Sequence, residues 1–89
     1  MVETTVTIYP HGTQIRDRYE ACRAEGKSDA EAHRMSEPFE VAWPRGVRLP
    51  VAGDVLSVRW AHGHVRHVDF MLDEEDVSVR WEIRIMLNL

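Results

Sequence analysis

Eighty-nine residues make one domain, which by the scaling of surface with size hides roughly 60–65% of its unfolded area and keeps little stability in reserve. With 44% hydrophobic and 29% charged residues and no apolar run near the ~18 needed to cross a bilayer, the composition is globular and excludes a membrane-spanning helix. The formal net charge of −4 argues against a wide basic face that grips nucleic acid. Lys27 is the one lysine among eleven basic residues, so the cations are arginines, whose planar fork holds carboxylates and phosphates well. Cys22 is the only cysteine, which excludes an internal disulfide and a cysteine-based zinc site and leaves it as a small buried hydrophobe. Met1 to Thr5 has neither the basic start nor the apolar run of a signal peptide, so a cytoplasmic protein is expected.

Val6 to Tyr9 is a short β-type run ended by Pro10 and the turn-like His11-Gly12. Ile15, Tyr19 and Cys22 then fall at helical spacing, which predicts an amphipathic helix from Thr13 or Gln14 to Glu25, stopped by Gly26. Ser28-Asp29-Ala30-Glu31 is a capping box for a second, shorter helix that ends near Ser36, because Pro38 disfavours helix at the residue before it. Phe39 to Trp43 can form a strand bounded by Pro38 and Pro44. Pro50 to Gly53 turns the chain into a strand in which Leu56, Val58 and Trp60 share one face. Ala61-His62-Gly63-His64 is the expected hairpin tip, and Val65 to Leu72 returns with Val68, Phe70 and Leu72 on one face. The acidic turn Asp73-Glu74-Glu75-Asp76 leads to the run Val77 to Ile85, where apolar and polar residues alternate without a slip.

The order implies a two-layer α+β domain in which a short N-terminal strand and a helical hairpin pack on a C-terminal antiparallel sheet of three to five strands. The Ile15/Tyr19/Cys22 face is expected on Val79, Trp81 and Ile83. If residues 39–49 join the sheet, it can curl toward a partly open barrel.

The stretch Arg18 to Ala32 resembles the helix, glycine turn and capped helix of many small bacterial and phage proteins, a phrase that also opens some DNA-reading helix-turn-helix units. In those units a recognition helix follows, whereas Glu37-Pro38-Phe39-Glu40 cuts this one off, so the expectation is a hairpin that packs on the sheet.

Three histidines, His62, His64 and His67, stand close together with Asp69 two residues beyond. Residues two apart on a strand share a face, so His62 and His64 are candidate metal ligands, with Asp69 or His67 to complete the set. His67 has the wrong parity for this on a regular strand, and an exposed polar turn explains the cluster as well. The acidic run Asp73, Glu74, Glu75 and Asp76 suits a basic partner and lacks the spacing and central glycine of a calcium loop. Arg80 and Arg84, with Ser78 and Glu82, line the outer face of the closing strand and are candidate anchors for a protein. Trp43, between Ala42 and Pro44, is the aromatic least explained by packing and a further candidate contact.

No phosphate-binding glycine loop, nucleophile elbow or HExxH pair is present, and no cofactor is implied. The order of elements is similar to that of the small ribosome-dependent RNA-cleaving toxins of toxin–antitoxin pairs, a resemblance that would make His67, Arg80 and Arg84 the active residues. The preferred expectation is a non-enzymatic module that occupies a surface on a larger protein or nucleoprotein complex. In size and charge it resembles phage inhibitors of host defence such as anti-CRISPR proteins. A homodimer through the closing strand is a second binding expectation.

Overall fold

The computed structural model describes the backbone at residues 4–75 and 78–89 and the side chains at residues 4–72 and 82–89. The elements are β1 (Thr4–Tyr9), α1 (Gly12–Ala24), α2 (Asp29–Met35), β2 (Phe39–Trp43), β3 (Val55–Val58), β4 (Ala61–Glu75) and β5 (Ser78–Asn88). They form the expected α+β domain: an N-terminal strand, a helical hairpin and one curled sheet of order β2-β1-β5-β4-β3 that makes a half-barrel. Among the described residues no helix is long and apolar enough to cross a membrane.

The helix ends follow local chemistry. His11 caps α1, its Nδ1 accepting from the Thr13 amide at 3.1 Å. At the other end Gly26 takes φ 92°, which lets the Lys27 amide reach the Cys22 carbonyl and the Gly26 amide the Arg23 carbonyl. Those two bonds satisfy carbonyls that the helix itself leaves open. Ser28 caps α2 as predicted, its Oγ accepting from the Glu31 amide at 3.2 Å. The Ser36 hydroxyl then folds back on the Ala32 carbonyl at 2.8 Å and helps to close the helix ahead of Pro38.

Strand pairing explains where the core lies. β1 runs antiparallel to β2 and parallel to β5, with Val6 beside Ile83 and Ile8 beside Ile85. The parallel pair departs from the expected antiparallel sheet: the helical hairpin returns β2 to one side of β1, which leaves the other side open to the last strand. Val6, Ile8, Ala61, Val65, Ile83, Ile85 and Leu87 make the buried cluster, and Phe39, Val41, Trp43, Leu56, Val58 and Trp60 pack around it. The rings of Phe39 on β2 and Trp60 beyond β3 lie 5.5 Å apart, so the first and last strands in the sheet order approach each other and the sheet curls.

Two expected placements change. None of Ile15, Tyr19 and Cys22 belongs to the cluster around Ile83, and the side chains of Val79 and Trp81 lie outside the described residues. Instead α1 reaches the start of β4: buried Gln14 accepts from the His62 amide at 3.1 Å, and its own amide donates to His62 Nδ1 at 2.7 Å. Tyr19 turns to α2, donating to Asp29 and lying against the His33 ring. The β3–β4 reversal falls at Arg59-Trp60, two residues before the expected tip, with Arg59 at φ 52°. Gly63 is therefore a strand residue, needed because a Cβ there would strike the Asn88 carbonyl.

Candidate protein-binding surface

β4 is much longer than β3. Antiparallel pairing with β3 covers only Ala61 to His64, and Val65 takes the loop backbone instead, donating to Asp54 at 2.7 Å and accepting from Gly53 at 2.8 Å. That loop is fastened by Asp54, whose carboxylate accepts from the Val51 amide at 3.0 Å and from Arg48 at 3.2 Å. The Val51 amide, with help from Arg48, holds the Asp54 carboxyl below the usual carboxylate range. From Arg66 onward β4 has β5 on one side and, among the described residues, no strand on the other. The two strands run on together to the pair Glu75–Ser78, so a two-stranded ribbon extends past the rest of the sheet.

A β-bulge sits at the root of this ribbon. Val65 pairs with Leu87 and His67 with Met86, so Arg66 is the extra residue and the parity of β4 changes there. Before it Ala61, Gly63 and Val65 face the core; after it Val68, Phe70 and Leu72 stand on the core side, opposite Ile85, Ile83 and Trp81. The spacing of three between Val65 and Val68, where an unbroken strand has two or four, is the sequence signal for it.

Val68 still packs against the core, but the apolar residues beyond it are not covered. Phe70 is 58% exposed, Met71 43% and Leu72 47%, and they occupy both faces of the ribbon. Three consecutive exposed apolar residues on a strand with an open edge are what a chain avoids unless something binds there.

The candidate residues sort around this feature. Asp73, Glu74 and Glu75 are not a turn: they continue β4, in register with Arg80, Val79 and Ser78, and so extend the same edge. Their side chains and that of Arg80 lie outside the described residues, as does the whole of Asp76. Arg84 is on the outer face of β5, its Nε donating to Glu82 at 3.1 Å, with Asp69 opposite it on β4. The Glu82 bond is the main cause that raises the Arg84 pKa further above its ordinary value. Trp43 stands at the end of β2, partly buried against the core, and its indole donates to the Val47 carbonyl at 3.1 Å. It lies on an edge strand distant from the ribbon in the sheet order.

The bulge brings His67 to the same side as His62 and His64, contrary to the regular-strand parity. Even so, among the described residues no three His, Cys, Asp or Glu side chains are placed to hold a metal ion. His62 Nδ1 already accepts from Gln14, and His67 lies 3.6 Å from Asp69, an ordinary surface pair. His67 and Arg84 do share the outer face, as the toxin resemblance would need.

One grouping had no signal in the sequence because its members are far apart in it. The Arg18 guanidinium lies 5.9 Å from the Trp60 ring centroid, Trp60 packs on Phe39, and the Arg59 guanidinium lies 5.1 Å from the centroid of Phe39. This alternating stack closes the seam of the half-barrel and ties α1 to it. No family model, curated protein or solved structure matches the chain.

Proposed function

We propose that this chain is a non-enzymatic protein-binding module of the cytoplasm that acts by occupying a surface on a larger protein or nucleoprotein complex. The observation that supports this is the uncovered run Phe70-Met71-Leu72 on an open strand edge, continued in sequence by Asp73, Glu74 and Glu75. Apolar side chains and free backbone groups supply contact, while carboxylates favour a basic partner surface and steer the encounter. A groove that otherwise holds nucleic acid has that chemistry, and occluding it would inhibit a host defence complex in the manner of an anti-CRISPR protein.

The test is capture of a partner from the native cell by the tagged chain, repeated with Asp73, Glu74, Glu75 and Asp76 changed to their amides and with Phe70→Ser. Loss of the captured protein in both variants is expected. Unchanged capture in both removes the ribbon as the contact surface.

The RNA-cleaving alternative draws on the shared outer face of His67 and Arg84. On that face Arg84 is bound to Glu82 and stands opposite Asp69, carboxylates that repel a phosphate backbone, so binding is the preferred reading. Expression without growth arrest removes the alternative.

A further inference from the structure

The open edge of β4 carries its charge unevenly. Its start holds Arg66 and His67, with His62 and His64 just upstream and Asp69 as the one carboxylate before the apolar run, and its far end holds Asp73, Glu74 and Glu75. Between them lie the exposed Phe70, Met71 and Leu72. A strand that is basic at one end, acidic at the other and apolar in the middle is complementary to its own reverse.

We propose that β4 pairs antiparallel with β4 of a second copy about a twofold axis at Phe70, which joins the two curled sheets into one. Here Phe70 stands opposite Phe70 of the other copy, Val68 opposite Leu72, His67 opposite Asp73 and Arg66 opposite Glu74. The register is selected by both steric and electrostatic arguments. A twofold axis that keeps each face of the sheet on its own side must pass beside a residue paired with its own copy, so only whole-residue centres are allowed. A centre at Asp69 sets that carboxylate against itself, and one at Met71 sets Asp69 against Asp73; like charges directly opposite are unfavourable. A centre at Val68 would call on Val65 and His64, whose outer edge is already taken by the 53–54 loop and by β3. The centre at Phe70 spans Arg66 to Glu74, nearly the full length of free edge, and no like charges meet.

The closing strand, which the sequence offered for self-association, has the shorter free edge, limited to its first residues, 78–82. β5 lies between β1 and β4 in the sheet and has no free side over Ile83 to Met86. With β4 as the contact, Val68, Phe70 and Leu72 of both copies form one apolar row on the core side of the joined sheet, beside Ile83 and Ile85.

This inference rests on the reading of the ribbon as a protein-binding surface, and commits that surface to a second copy. The experiment is light scattering and sedimentation of the full chain across the accessible concentration range. Wild type is expected at twice the 10.3 kDa chain mass, dissociating on dilution. Phe70→Lys, which sets two cations on the axis, is expected at the chain mass with an unchanged circular dichroism spectrum, since Phe70 contributes little to the core. Arg66→Glu and Glu74→Arg are each expected to be monomeric alone and to form a mixed dimer when combined, because only the unlike pair restores opposite charges at both ends. A monomeric wild type at all concentrations overturns the proposal, as does a dimer that survives Phe70→Lys and both charge reversals. If wild type is monomeric while Phe70→Ser still abolishes capture of a different protein, the binding surface stands and the second copy is excluded.

Discussion

Ile83 and Phe70 are register partners on neighbouring strands and stand on the same side of the sheet, yet one is 6% exposed and the other 58%. The difference between the body of the half-barrel and its ribbon is contained in that pair. Ile83 has Val6 of β1 on its far side, under the curl that brings β2 toward Trp60. Phe70 has, among the described residues, no strand on its far side, because β3 leaves β4 at His64. Alternation chooses the face a side chain points from; lateral neighbours and curl decide whether that face is covered.

The comparison is sharpest in the free energy of unfolding. Ile85→Ala, at a fully buried site in the middle of the sheet, is expected to cost about 3–4 kcal/mol in a denaturant titration. Phe70→Ser should cost about 0.5 kcal/mol or less although it removes a larger side chain. Equal losses at the two sites would mean that the ribbon is as well packed as the body. Gly63→Ala, which forces a methyl group against the Asn88 carbonyl, is expected to cost about 2 kcal/mol by local displacement of β4 from β5.

Smaller effects test how the body is fastened. Gln14→Leu leaves the His62 amide without its acceptor and should cost about 1–2 kcal/mol, with the far-ultraviolet spectrum retained. Asp54→Asn probes the loop that closes the edge of β4 at Val65. Because the folded Asp54 carboxyl titrates below its ordinary range, its contribution is complete above that range and is lost as pH falls through the lowered value. The variant should therefore melt lower than wild type near neutrality and equal to it in strong acid. A gap that persists in acid would assign the effect to something other than the carboxylate charge.

Much of the body was legible in the chain because its signals are local. Ser28 and Gly26 marked the helix ends through capping and left-handed geometry, and the parity of Leu56, Val58 and Trp60 set the inward side of β3 and its turn. What escaped depends on contacts distant in sequence or on ambiguous residues. Gly63 between two histidines looks like a turn, but the glycine serves the approach of Asn88, and the turn itself is made by Arg59 in an uncommon left-handed conformation. Asp73 to Glu75 look like a loop by charge, yet register with β5 keeps them in the strand. The open edge of β4 was not legible either, since it depends on how far β3 and the 53–54 loop follow β4, a pairing that ends at Val65.

That β5 is both last in chain order and central in the sheet bears on how the molecule is made. During synthesis the β1–β2 pair and the β3–β4 hairpin emerge with a vacant slot between them, which Ile83, Ile85 and Leu87 then fill. Assembly must then close contacts between β1 and β5, which are far apart in sequence, a slow kind of search. Until that moment β4 shows two open edges rather than one, so the nascent chain is at its stickiest in the interval before β5 is in place.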